Sequence, residues 1–155
     1  MSPRREVVER VLVTGSTTWV EPVAIESMLE TFAQEPVLRG SSLVVLTGMA
    51  EGADTIAREW AVARSVNLYA ELLEPGEYPG PMHRYNEALL RHGPDVVLAF
   101  KDDFDVDWAS DSCVAGTEHM CRIAARAGVP VCLNGRDELR IDSPSLGSRH
   151  TRTVR

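Results

Sequence analysis

Apolar residues along this chain follow two spacings, and the alternation between them lays out a fold. Arg10 to Gly15 (RVLVTG), Leu43 to Leu46 (LVVL), Asp95 to Phe100 (DVVLAF) and Val129 to Leu133 (VPVCL) are short runs with no polar alternation. That is the pattern of strands covered on both faces. Asn67 to Leu73 (NLYAELL) is a weaker run of the same kind, ended by Glu74-Pro75-Gly76. Between these runs the apolar positions recur every three or four residues: Ile25, Met28, Leu29 and Phe32; Ala53, Ile56, Ala57, Trp60 and Ala61; Met82, Tyr85 and Leu89; Met120, Ile123, Ala124 and Ala127. Each set predicts an amphipathic helix. Pro22 suits the first turn of the first helix, which runs to about Glu35 before Pro36 and Gly40 stop it. The others are expected over Gly52 to Ser65, Met82 to Arg91 and Gly116 to Ala127, the third ended by His92-Gly93-Pro94 and the fourth by Gly128.

Five strands alternating with four helices predict an α/β architecture, a doubly wound, Rossmann-like five-stranded parallel sheet with helices on both faces. Right-handed crossovers make 3-2-1-4-5 the simplest strand order, with ligands expected outside the strand carboxyl ends where the winding reverses, between strands one and four. Residues 1–9 are charged and expected to be a flexible amino terminus, residues 10–142 a single domain, and residues 143–155 a disordered basic tail.

Composition narrows the function classes. At 155 residues and 44% hydrophobic content, the chain can bury one substantial core. A formal charge of -7 argues against a surface that wraps duplex nucleic acid or coats an anionic membrane. No apolar run approaches the ~20 residues of a membrane span, and the opening MSPRREVVERVLV has no secretory pattern, so a cytoplasmic location is expected. Three cysteines, Cys113, Cys121 and Cys132, without C-x-x-C spacing suit reduced thiols.

Three strand-to-helix turns carry the candidate chemistry. Gly15-Ser16-Thr17 follows the first strand, Thr47-Gly48 through Glu51, Gly52 and Asp54 follows the second, and Gly116-Thr117-Glu118 opens the last helix. Glycine lets a backbone approach a ligand closely, and the unpaired amides of a helix amino end attract an anion. A phosphate-bearing ligand held where the three turns converge is the expectation. Glu118 is the candidate acid–base group or ribose ligand, and Arg84 and Asn86 the candidate phosphate or ribose contacts.

With these turns placed, the chain resembles the YspA-like branch of the SLOG superfamily of Rossmann-like proteins over roughly Val11 to Val131. The resemblance rests on Val11-Leu12-Val13-Thr14-Gly15-Ser16, Gly48-Met49-Ala50-Glu51-Gly52-Ala53-Asp54, Gly80-Pro81 through Asn86, and Gly116-Thr117 ahead of Gly128-Val129-Pro130-Val131. It implies binding or sensing of a nucleotide or nucleotide-derived ligand, and by analogy a homodimer. Relatives include the Lonely Guy phosphoribohydrolases and the DNA-processing protein A family, so cleavage of the N-glycosidic bond of a nucleoside 5'-monophosphate is the alternative, with Glu118 and Arg84 as its catalytic groups. The chain departs from these patterns. Thr17 stands where the branch usually has arginine, Arg84 lies one step before the usual arginine position, which is Tyr85, and Met120 occupies the second catalytic position of the hydrolases.

Other signals have plainer readings. Trp19 is either a lid over a base or a filler between helix and sheet. Asp103, Asp105, Asp107 and Asp111 alternate like a calcium loop, but Trp108 and Val114 occupy the positions of its glycine and closing glutamate. No cofactor is required by the sequence, and Mg²⁺ bridging these carboxylates to a ligand phosphate is the one it admits. Cys113, His119 and Cys121 lack a fourth ligand for zinc.

Overall fold

A computed structural model describes residues 9–34, 43–70, 83–111, 113 and 115–141. In chain order the elements are β1 (Arg10–Gly15), α1 (Val23–Ala33), β2 (Val44–Thr47), α2 (Ala53–Ala63), β3 (Asn67–Ala70), α3 (His83–Leu90), β4 (Val96–Phe100), α4 (Gly116–Arg126), β5 (Val131–Leu133) and β6 (Arg136–Ile141). They form one sheet in the order β3-β2-β1-β4-β5-β6. The first five strands are parallel, in the predicted order, and β1 lies between β2 and β4. Residues 143–155, the expected basic tail, lie outside the described residues, as does the end of the predicted third strand beyond Ala70.

The strands read as unbroken apolar runs because each face of the sheet has its own core. Val11 and Val13 of β1, Val45 of β2, Leu98 and Phe100 of β4 and Cys132 of β5 join Ile25 and Leu29 of α1 and Ala57 and Trp60 of α2. Leu12, Leu46, Val97, Ala99, Val131 and Leu133 take the other face, against Leu89 of α3 and Met120, Cys121, Ala124 and Ala125 of α4. Adjacent residues of one strand point to opposite faces. Both sides are covered, so every position must be apolar.

The sixth strand was not expected. It pairs antiparallel with β5 through a two-residue turn, with Leu133 opposite Arg136. Asn134 (φ 55°) and Gly135 (φ 78°) both occupy the left-handed region, as the tight hairpin turn that matches strand twist demands. The Asn-Gly pair was a readable signal. Asn134 also fixes the end of β4: its Oδ1 accepts from the Lys101 amide (2.9 Å) and its Nδ2 donates to the Lys101 carbonyl (3.0 Å).

Candidate functional site

A cleft of about 350 Å³ opens over the carboxyl ends of β1, β2 and β4. Its wall runs from Val13 to Thr17 on β1 and its turn, to Gly48 and Ala50 after β2, and to Asp54 in the first turn of α2. The opposite side is made by Tyr85, Asn86 and Leu89 of α3, Lys101 at the end of β4, and Gly116 and Thr117 of α4. Ser16, Gly48 and Thr117, far apart in the chain, thus line one cavity. Its position is where a doubly wound sheet reverses its winding.

The amino ends of the three helices that follow β1, β2 and β4 differ in what occupies them. At α1 the Glu21 carboxylate accepts the amides of Val23 (2.6 Å) and Ala24 (3.2 Å), a cap supplied from within the chain. At α2 the Ala53 amide donates to the Ser16 carbonyl (3.2 Å), so the opening amide expected to face an anion is taken by the turn after β1. At α4 the residue before the helix, Ala115, makes no side-chain cap, and among the described residues no acceptor sits on the amides of Gly116 or Thr117. Both residues line the cleft, at the positive end of the helix dipole. Among the described residues, the end of α4 therefore keeps donors to spare.

The turn after β1 is tied to itself as well. The Ser16 hydroxyl accepts the Thr18 amide (3.0 Å) and lies 2.8 Å from the Thr18 hydroxyl, while Ser16 also donates its own amide to the Phe100 carbonyl (2.9 Å). Gly52 makes the close contact between the two turns feasible. Its φ of 76° is a left-handed conformation, and a Cβ there would run into the Ser16 carbonyl and the backbone of Thr17.

Lys101 brings a positive charge to the cleft, although in sequence it stands at the head of the acidic run KDDFDVD. Its Nζ lies 2.8 Å from both oxygens of Glu118, which is fully buried. Glu118 also accepts the Asp105 amide (3.0 Å). Expected as a ligand or acid–base group, Glu118 instead lies outside the cleft wall with both oxygens engaged. It holds Lys101 against the wall and anchors the segment after β4. Arg122, also buried, clamps the same segment by donating to the carbonyls of Trp108 (3.1 Å), Ser110 (2.8 Å) and Cys113 (2.9 Å). Asn86 ties α3 to α4, with Nδ2 on the Gly116 carbonyl (2.9 Å) and 3.1 Å from His119 Nδ1.

On the β2 side, Asp54 is 7% exposed, and burial pushes the pKa of its carboxyl up to about 6. The Ala50 amide, the Thr47 hydroxyl and the charge of Arg58 oppose that shift without cancelling it. Ala50 donates to Asp54 Oδ2 at 3.3 Å, and the Met49 amide donates to the Tyr85 hydroxyl at 3.1 Å. Gly48 lies between those two side chains: an added Cβ would stand 2.5 Å from the Tyr85 hydroxyl and 2.7 Å from Asp54 Oδ2. Arg58 braces the loop from beneath, donating to the carbonyls of Gly48 (2.8 Å) and Ala50 (3.1 Å). Thr47 is buried, its hydroxyl on the Val13 carbonyl at 2.9 Å.

The remaining candidates are dispersed. Glu51 and Arg84 are exposed and neither they nor Gly52 line the cleft. Arg84 misses it because Tyr85, one step on, turns inward, and one residue is about 100° around a helix. Trp19 packs on Phe100, ring centroids 5.7 Å apart, and its indole nitrogen donates to the Glu21 carbonyl, so it fills the seam between turn and sheet. Asp111 pairs with Arg126 at 2.9 Å. Among the described residues no three of His, Cys, Asp and Glu gather as a metal site, and the three cysteines are buried without disulfides. Burial, aided by neighbouring Glu118, holds the Cys121 thiol protonated. No helix among the described residues is long and apolar enough to cross a membrane.

Comparison with known proteins places the chain among relatives. Residues 9–74, from β1 past β3, match the family described as YspA, cpYpsA-related SLOG. The chain is 33% identical over 131 residues to the Gene 61 protein of Mycobacterium phage D29, an alignment that covers 79% of this chain and 93% of the relative. No solved structure matches it.

Proposed function

The chain belongs to the YspA, cpYpsA-related SLOG family, and on that premise we propose that its cleft binds a nucleotide or nucleotide-derived phosphate ligand. The phosphate lies at the amino end of α4, on the amides of Gly116 and Thr117 and the Thr117 hydroxyl. Lys101 supplies the positive charge, shared with Glu118. Thr17, in the position where the family's arginine is usual, leaves the contact on the β1 side to a hydroxyl. The observation that carries this reading is the amino end of α4: Gly116 and Thr117 line the cavity with Lys101, and among the described residues no acceptor sits on their amides.

Cleavage of a nucleoside 5'-monophosphate is the weaker reading. Glu118 is bound to Lys101 and Arg84 is outside the cavity, so the two groups that the hydrolase comparison nominates do not meet there. The test is a melting series with ribonucleoside mono-, di- and triphosphates. A ligand at ~100 times its dissociation constant adds about 2.7 kcal/mol, a shift of several degrees for a domain of this size. Lys101→Met should abolish that shift. A flat series at millimolar nucleotide would overturn the proposal, and steady release of free base would replace it with the hydrolase.

A further inference from the structure

The phosphate contacts leave one ionisable wall of the cleft unexplained. Asp54 lines the cavity from the β2 side and takes hydrogen bonds from the Ala50 and Gly48 amides and the Thr47 hydroxyl. The charged and titratable groups around it are otherwise engaged. Arg58, on its own helix, donates to the carbonyls of Gly48 and Ala50 and to the Thr55 hydroxyl. From α3, Tyr85 receives the Met49 amide. Lys101, at the end of β4, is held by Glu118, and His119 of α4 faces Asn86. A carboxylate offers about four acceptor sites and no donor, so these three hydrogen bonds do not exhaust it.

Position and chemistry together select what can use it. Asp54, in the helix after β2, and Gly116 and Thr117, in the helix after β4, line the one cleft, and β2 and β4 flank β1 in the sheet. A ligand held by its phosphate at the α4 end can therefore present its other groups to Asp54. A second phosphate at Asp54 would meet an acceptor-only, negatively charged group. Hydroxyls are the complementary donors.

We propose that Asp54 accepts hydrogen bonds from the sugar hydroxyls of the ligand, so that the cleft selects ribonucleotides over 2'-deoxyribonucleotides. This rests on the nucleotide reading above. A hydroxyl that donates to the carboxylate favours its ionised form, so ribonucleotide binding weakens as pH falls through about 6, the value at which Asp54 titrates. A monophosphate ligand also titrates near 6. Asp54→Asn keeps the shape, removes the carboxylate's share of that dependence and leaves the phosphate's.

The experiment measures binding of the ribonucleoside 5'-monophosphates, their 2'-deoxy counterparts and inorganic phosphate by calorimetry at pH 5.5 and 7.5, with wild type, Asp54→Asn and Asp54→Ala. Wild type should prefer the ribo form by about tenfold or more, because a site built to bond a hydroxyl leaves its acceptor unpaired when that hydroxyl is missing. The preference should shrink in Asp54→Asn and vanish in Asp54→Ala, with inorganic phosphate affinity unchanged. Equal wild-type affinity for ribo and deoxy forms, or an equal loss for all ligands in both variants, would overturn the role of Asp54 and leave the nucleotide reading standing. Absence of binding by every nucleotide would overturn both.

Discussion

The glycine turns on either side of the cleft put their backbone groups to different uses. After β2, the loop Gly48 to Gly52 is laced into the protein: Arg58 takes two of its carbonyls, Tyr85 and Asp54 take two of its amides, and the first amide of α2 goes to Ser16. Before α4, Ala115 makes no side-chain cap, and Gly116 and Thr117 line the cavity with no acceptor on their amides among the described residues. Both stretches contain the glycine and small residues that suggest phosphate binding. A glycine-bearing turn is a ligand site only where its donors are left over after the fold has used what it needs. The β2 loop is the rigid wall, and the α4 end is the proposed receptor.

Glu118→Ala attacks the receptor side hardest. It leaves Lys101 without its partner and the Asp105 amide without its acceptor, and should cost roughly 3 kcal/mol in urea unfolding. Glu118→Gln, which retains the volume, separates loss of charge from loss of packing. Gly52→Ala attacks the rigid wall: a left-handed φ and collision with Ser16 and Thr17 should together cost about 2 kcal/mol. Little or no loss would mean that the two turns are not locked together.

Asp54→Asn should act in the opposite direction. The folded-state pKa is raised from 3.8 to about 6, so the folded protein favours the protonated acid. That contribution to stability is fully present below about pH 4 and is lost as pH rises through about 6. The asparagine variant escapes the loss, and near pH 7.5 it should be more stable than wild type by on the order of 2 kcal/mol, with the gain fading near pH 4. Unfolding curves across that range check the sign; a constant difference would assign it to packing alone. The smallest effect sharpens the contrast most. Thr117→Val should leave the melting temperature unchanged and weaken nucleotide binding about fivefold, the worth of one hydroxyl hydrogen bond, whereas Thr47→Val, at a hydroxyl bound to Val13, should lower the melting temperature.

Much of the fold was legible because burial on both sides of a parallel sheet leaves no polar alternation, and the runs at Val11, Val45 and Val97 announce this directly. The turn into the sixth strand is written in Asn134-Gly135, but few apolar residues follow to mark the strand itself. The site was legible at the level of turns and misleading at the level of side chains. Glu118 has the position of a catalytic carboxylate and the environment of a buried ion pair, and its partner Lys101 is 17 residues away in sequence. Arg122 looks like a solvated helix residue until three carbonyls close on it.

The sequence by itself determined the local terms of this protein: which stretches bury both faces, where helices begin, and where glycine admits a close approach. Those depend on residue type and spacing along the chain. Which amides are consumed and which remain open, and which carboxylate meets a lysine, only the tertiary structure decided. Hydrogen bonds and ion pairs are made between groups brought together by topology, and the donors left for a ligand are what remains after those pairings.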